Sequence, residues 1–111
     1  MALGLIIQKK WLEKIFLTGK TWEMRSSLCH KREVIKLIES KSGLILGECR
    51  MIDSFEVSKE EAARNIDKHQ VEDLALLEKW KFAWVLSDVV KYETPQPYKH
   101  KQGQVIWVRD L

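Results

Sequence analysis

The residues whose types and spacing could support chemistry lie together in residues 19–25, GKTWEMR. The segment holds an ammonium, a carboxylate and a guanidinium group, on Lys20, Glu23 and Arg25. Alternation along a strand places Glu23 and Arg25 on one face and Trp22 on the other. The two cations suit a phosphate or the polar edge of a base, and the carboxylate suits an exocyclic amine or general-base catalysis. Ion pairs on the surface of a strand show the same pattern, so spacing alone leaves both interpretations open.

Two further segments combine cations with histidine, and we expect them to contact the backbone of a nucleic acid. Their residues are His30, Lys31, Arg32, Lys99, His100 and Lys101. Cations on loops suit phosphate groups, although solvated loop charges have the same composition. Tyr98 lies beside prolines and Lys99, which makes it the best candidate to stack on a base. The five tryptophans fit core positions better.

The histidines and cysteines do not have the spacing of a metal site. Cys29 and Cys49 form no C-x-x-C pair, and no H-x-x-x-H pattern is present. His69 ends an acidic helical segment, where a cation is favourable with the helix dipole, so we interpret it as a helix-terminal residue. The sequence also lacks a Walker motif and a dinucleotide fingerprint. We therefore predict no metal and no cofactor, and the cysteine content is typical of a reducing compartment.

Length and composition predict one globular domain, residues 1–111, with 45% apolar and 32% charged residues. No apolar run approaches the ~20 residues needed to span a bilayer, and the N-terminal residues lack the pattern of a secretory signal. We expect a cytoplasmic protein without a membrane partner. The net charge of +3 implies little, but the positive excess lies in residues 1–41 and 91–111. Neighbouring terminal strands would gather that charge on one basic face.

The apolar periodicity predicts strands alternating with a few helices. Trp11, Leu12 and Ile15 mark one face of a helix that begins at Lys9 and ends before Gly19. Ser58 and Glu61 form a capping box that opens a helix reaching about His69. The other expected elements are strands 3–8, 21–25, 32–40, 44–55 with a bulge at Gly47, 82–92 and 104–109, a helix over 71–79, and a sheet-breaking segment at Pro95 and Pro97. This order predicts an α+β fold, a small and mainly antiparallel β-barrel with covering helices.

With Gly19 before them, Lys20, Glu23 and Arg25 resemble the G-x-K-x-x-E-x-R signature of the ASCH domain family, whose fold is a PUA-like β-barrel. The resemblance covers nearly the whole chain. Its later blocks are the glycine-led strand 43–52, the region of Trp84, and the run from Pro95 to Trp107. In that family the signature lines a cleft between helix and barrel, proposed to hold RNA or a nucleotide-like ligand. The resemblance therefore implies that Lys20, Glu23 and Arg25 line a cleft for such a ligand, and Tyr98 is expected from its position in the sequence to bind the ligand as well.

Activities differ among the proteins that this sequence resembles, so the resemblance leaves several functions open. Some look like RNA-binding modules, whereas others are an acetylcytidine amidohydrolase and a ribonuclease. The amidohydrolase branch has a Lys-Thr-x-Thr motif, and Glu23 stands here where its nucleophilic threonine would be. A carboxylate does not replace an attacking hydroxyl, which leaves Thr21 as the outside alternative. If the protein is an enzyme, Lys20 and Glu23 are the expected acid–base pair; a protein-interaction module with a vestigial cleft is the third hypothesis.

Overall fold

One curled, six-stranded sheet with a few helices forms the fold in the computed structural model, which describes residues 2–111. The elements are β1 (Leu3–Ile7), α1 (Lys9–Leu17), β2 (Trp22–Arg25), β3 (Val34–Glu39), β4 (Leu44–Glu56), α2 (Lys59–Arg64), α3 (Ile66–His69), a 3-10 helix (Leu74–Glu78), β5 (Phe82–Pro97) and β6 (Trp107–Val108). The strand order is β2-β5-β4-β3-β1-β6. The pair β1–β3 is parallel and the other pairs are antiparallel. The expected α+β class and barrel-like architecture are confirmed.

The curl of the sheet brings its two ends together. The terminal strands are neighbours, with Leu5 opposite Trp107. Trp107 also stacks on Trp84 of β5, with ring centroids 5.6 Å apart and an interplanar angle of 10°. This stack joins one edge region of the sheet to the other, because β5 lies next to edge strand β2. Residues 2–111 contain no helix long and apolar enough to cross a membrane.

The turn from α1 into β2 places the charged residues Lys20 and Glu23 in the protein interior. Trp11, Leu12 and Ile15 are buried on the inner face of α1, as their spacing predicts. The helix ends before Gly19, whose φ of 76° lies in the left-handed region that favours glycine. The backbone N–H of Lys20 then donates to the carbonyl oxygen of Lys14 at 3.1 Å, which reverses the chain.

A bulge lies in β4 beside Gly47, as expected. Leu37 pairs with Gly47 and Ile38 with Ile45, so Leu46 is left without an opposite residue on β3. A Cβ atom on Gly47 would collide with the carbonyl oxygen of Val90 and would lie 2.8 Å from the ring of Phe16. Glycine is therefore required here by the close approach of β5 and α1.

Four expected boundaries were wrong. Strand β5 continues through Pro97 rather than breaking at the prolines, because residues 92–95 bulge opposite Leu46 alone. The segment opened by the capping box is divided at Asn65 into two short helices. Residues 74–78, within the expected helix over 71–79, form a 3-10 helix. The last strand has only two residues, 107 and 108, instead of spanning 104–109.

Candidate functional site

Lys20 is buried, which is unusual for a lysine, and its ammonium group lies in a fixed position. Its side chain is 1% exposed. The Nζ atom donates to the carbonyl oxygen of Trp22 at 2.6 Å and to that of His69, and it lies 5.1 Å from the ring centroid of Trp11. Two of the three ammonium protons are thus used within the protein, and the third is left for Glu23 or a ligand.

Burial lowers the pKa of Lys20 to about 8 from its ordinary value of 10.5. The Glu23 carboxylate opposes this shift because it stabilises the charged amine, whereas Lys14 and Arg25 add to it by repulsion. Burial therefore brings the pKa of Lys20 closer to neutral pH than that of an exposed lysine, which favours proton transfer by its amine.

Arg25 binds one carboxylate oxygen of Glu23 and does not contact the other. The Oε2 atom accepts from Arg25 Nη2 at 2.9 Å and from Arg25 Nε at 3.1 Å. The Oε1 atom lies 3.8 Å from Lys20 Nζ, beyond hydrogen-bond distance. Because the side chains of Lys20 and Glu23 are only 1% and 5% exposed, these ion pairs do not form a solvated ladder on the strand surface.

Arg25 also joins the two ends of the curled sheet. Its Nη2 atom donates to the carbonyl oxygen of Ile6 on β1 at 3.1 Å. Its guanidinium carbon lies 5.3 Å from the ring centroid of Trp84, a distance at which the cation is attracted to the ring. The position of Glu23 is therefore fixed by a residue that is itself anchored at two other points.

A small cavity of about 170 Å³ opens beside these three side chains. Its other lining residues are Ile6, Gln8, Trp11, Met24, Ser40, Val71 and Trp80. Two tryptophans thus contribute to the wall, and their rings contact each other edge to face with centroids 6.1 Å apart. A larger cavity of about 720 Å³ adjoins it, since Met24 and Trp80 line both.

His69 has a role in this site that the sequence did not reveal. It is fully buried. Its Nδ1 atom accepts from the backbone N–H of Val71 at 2.9 Å, so the proton lies on Nε2, which donates to the carbonyl oxygen of Ala62 at 2.8 Å. His69 ends α3, as expected for a helix-terminal residue, but its ring is not an exposed cation there, because both ring nitrogens form hydrogen bonds within the protein. No local spacing marks the residue, because its contact with Lys20 spans 49 positions.

A reciprocal pair of hydrogen bonds ties the segment of His69 to the end of α1. Thr18 Oγ1 donates to Gln70 Oε1 at 2.6 Å, and Gln70 Nε2 donates to the carbonyl oxygen of Thr18 at 2.6 Å. Gln70 adopts a left-handed conformation with φ of 54°. The turn that presents the His69 carbonyl to Lys20 is therefore held from both sides.

The other predicted residues lie outside the cavity. His30, Lys31 and Arg32 belong to the loop before β3, where Arg32 Nη1 donates to the carbonyl oxygen of Cys29 at 2.8 Å. Tyr98, Lys99 and Lys101 line a different cavity, and Tyr98 is hydrogen bonded to His100. Thr21 does not line the cavity beside Lys20. The phosphate and base contacts assigned to these residues stay predictions. Residues 2–111 hold no group of three or more metal-ligand side chains.

Comparison with solved structures identifies the fold. No family model matches the sequence, and no curated protein sequence matches it. The crystal structure of an ASCH protein from Zymomonas mobilis is similar, with a TM-score of 0.66 and 11% identity over 81% of this chain and 69% of that chain. A serine-to-alanine mutant of the same protein gives a TM-score of 0.74 and 10% identity over 96% of this chain and 86% of that chain. This chain has the ASCH fold.

The ASCH fold supports the sequence resemblance without testing the motif residues, since identity is 10–11%. A tyrosine-to-phenylalanine mutant of the Z. mobilis protein is also similar, with a TM-score of 0.69 and 11% identity over 86% of this chain and 75% of that chain. The K-x-x-E-x-R spacing of the signature is intact here at Lys20, Glu23 and Arg25. Gly19 directly precedes Lys20, so it is one position closer than the glycine of the signature.

Proposed function

We propose that this ASCH-fold protein binds one base of an RNA or of a nucleotide-like ligand in the cavity lined by Lys20, Glu23 and Arg25. The observation that carries the proposal is the Glu23 carboxylate. It is buried, it lines the cavity, and its Oε1 atom lies beyond hydrogen-bond distance of Lys20. Within residues 2–111 the hydrogen bonds of this carboxylate go to Oε2, so Oε1 is left to accept one from an exocyclic base amine.

The dimensions of the cavity favour a single ring. Its volume of about 170 Å³ is below the ~300 Å³ at the lower end of ordinary ligand pockets. A base fits such a volume, whereas its sugar and phosphate remain outside. The aromatic walls of Trp11 and Trp80 offer the surfaces on which unstacked bases pack.

The charges near the cavity suit the remainder of a nucleotide. Arg25 is the most exposed of the three charged side chains, at 21%, and lies at the edge of the site. A guanidinium group in that position can contact a phosphate through the nitrogen not used by Glu23 and Ile6. The basic loop residues predicted from the sequence, His30 to Arg32 and Lys99 to Lys101, would then extend the contact along a strand of RNA.

Titration calorimetry with short single-stranded RNA tests this function, using the wild type and a Glu23→Gln variant. We expect affinity to fall steeply with salt and to fall about tenfold in the variant, since the amide replaces a charged acceptor. A matched Glu13→Gln variant changes an exposed carboxylate on α1 and should bind as the wild type does. Equal binding by all three proteins, or no binding at low salt, would contradict the proposal.

Hydrolysis of a modified base or of RNA is a second candidate, and the lowered pKa of Lys20 favours it. A lysine with a pKa of about 8 beside a carboxylate can donate a proton to a leaving group while the carboxylate accepts one from water. For an acylated cytidine, water would add to the acyl carbon, the C–N bond would break, and the amine would leave with the proton. Turnover of acylated cytidine or RNA that is lost in Glu23→Gln would establish it, and no turnover of either would reject it.

A further inference from the structure

The larger cavity beside the candidate site is not used by the proposed function. Its volume is about 720 Å³, within the ~300–1,000 Å³ of ordinary ligand pockets. It lies between the end of β4, helix α2 and the 3-10 helix, and seven of its twelve lining residues are apolar. Three of these, Met24, Val57 and Ala62, are buried. A group that leaves water for this cavity therefore gains free energy if its surface is apolar.

The charged residues that line this larger cavity favour a neutral group over a phosphate. They are Glu56, Lys59, Glu78 and Lys81, and all four are exposed. Because two carboxylates and two ammonium groups carry no net charge, they do not attract an anion. We therefore do not expect the larger cavity to hold a second nucleotide, which would bring a phosphate with it.

Met24 and Trp80 connect the two cavities, because each of them lines both. Met24 directly follows Glu23 on β2. Trp80 is held in place by its backbone N–H, which donates to the carbonyl oxygen of Leu76 at 3.0 Å. A ligand bound beside Glu23 can therefore extend past these two side chains into the larger cavity.

We propose that the base bound beside Glu23 carries an apolar substituent on its exocyclic amine, and that this substituent occupies the larger cavity. The inference rests on the proposed function and narrows its ligand to a base with an alkylated amine. A secondary amine retains one N–H, so the substituent does not remove the hydrogen bond to Glu23 Oε1. The small cavity of about 170 Å³ takes the ring, and the larger cavity shields the alkyl group from water.

Titration calorimetry with cytidine, N4-methylcytidine and N4-benzylcytidine tests the inference. Both derivatives keep one N–H on the amine, but only the benzyl group brings a large apolar surface. We expect N4-benzylcytidine to bind at least about tenfold more tightly than the other two nucleosides. In NMR spectra of the wild type it should also shift the amide signals of Val57 and Ala62, whereas N4-methylcytidine should not shift them.

Ala63→Leu provides a matched test within the protein. Ala63 lines the larger cavity from an exposed position on α2, and leucine is a good helix former, so the variant should fold. The new side chain should fill part of the cavity, reduce the advantage of N4-benzylcytidine to less than about threefold, and leave cytidine binding unchanged. Ala75→Leu, at an exposed position that lines neither cavity, should keep the full advantage.

Each outcome decides either the inference or the proposed function. If the wild type binds cytidine and N4-benzylcytidine equally, the inference is overturned and the proposed function stands. An advantage of N4-benzylcytidine that survives in Ala63→Leu also overturns it, because the substituent then lies elsewhere. If N4-benzylcytidine binds but Glu23→Gln leaves its affinity unchanged, the larger cavity binds an apolar group and the proposed function fails. No binding of any of the three nucleosides overturns the inference, whereas the proposed function is decided by its own titration with RNA.

Discussion

The backbone carbonyl of His69 accepts a hydrogen bond from the ammonium group of Lys20, although 49 positions separate the two residues. The imidazole ring of His69 fixes that carbonyl indirectly. It accepts from the N–H of Val71, two residues later, as an Asn side chain does in an Asx turn. The buried cation of the candidate site, in the turn between α1 and β2, is thus positioned by a neutral histidine at the end of α3.

Substitution of His69 should change the environment of Lys20. In His69→Ala the turn loses both ring contacts, water reaches Lys20, and its pKa rises from about 8 toward 10.5. In His69→Asn the side-chain oxygen keeps the bond to Val71, so we expect the pKa of Lys20 to stay near the wild-type value. The measurement is the NMR titration of the Lys20 side chain.

A folded His69→Ala protein with an unchanged Lys20 titration would show that His69 does not position the amine. If that variant does not fold, the ¹⁵N shifts of the His69 ring in the wild type decide the point. They should show the proton on Nε2 and a free acceptor at Nδ1, and the opposite tautomer would contradict the account.

The lowered pKa of Lys20 predicts how stability depends on pH. Between about pH 8 and 10.5 the unfolded chain binds the lysine proton more readily than the folded chain. The free energy of unfolding therefore rises with pH across this window, because burial penalises the charged amine less as it deprotonates. The gain is about 3 kcal/mol for a shift of this size.

Urea unfolding of the wild type and of Lys20→Met, at several pH values, measures this effect. The difference between the two proteins cancels the contributions of other titrating groups. The free energy of unfolding of the wild type, relative to that of Lys20→Met, should increase from pH 8 upward. The control is Lys91→Met, at an exposed position, for which the same difference should not change with pH. A flat profile for Lys20→Met as well would mean that Lys20 titrates alike in both states.

Arg25→Lys should destabilise the fold despite retaining the charge. The guanidinium group contacts both Glu23 and the carbonyl of Ile6, and an ammonium group cannot reproduce that fork. We expect a loss of about 1–2 kcal/mol in the free energy of unfolding. Arg64→Lys, on the exposed face of α2, should change it by less than about 0.5 kcal/mol. Equal losses in the free energy of unfolding for both variants would show that Arg25 does not bridge Glu23 and Ile6.

Gly47→Ala tests the close approach at the bulge of β4. The new methyl group would collide with the carbonyl oxygen of Val90, which is backbone and cannot rotate away. We expect a loss of at least about 3 kcal/mol in the free energy of unfolding, or failure to fold. Gly103→Ala is the control, since it has a positive φ but no atom nearby, and should cost only about 1 kcal/mol. A loss in Gly47→Ala as small as that of the control would show that β4 and β5 separate easily.

The sequence predicted those features that depend on local pattern. Alternation and helical spacing placed most strands and α1, and left-handed geometry at Gly19 followed from its residue type. The continuation of β5 through Pro97 was missed because a bulge opposite Leu46 accommodates residues 92–95, and this depends on pairing between distant strands. The contact of His69 with Lys20 was missed for the same reason. Burial of Glu23 was also hidden, because its alternation is that of an exposed strand face.

In the proposed function, Glu23 Oε1 accepts a hydrogen bond from the exocyclic amine of a bound base. The most direct measurement is the affinity of the protein for cytidine and for uridine, which differ in having an amine or a carbonyl at the same ring position. We predict that the wild type binds cytidine at least about tenfold more tightly and that Glu23→Gln loses this preference, because its amide can also donate. Equal affinity of the wild type for the two nucleosides, or a preference that survives in Glu23→Gln, would contradict the claim.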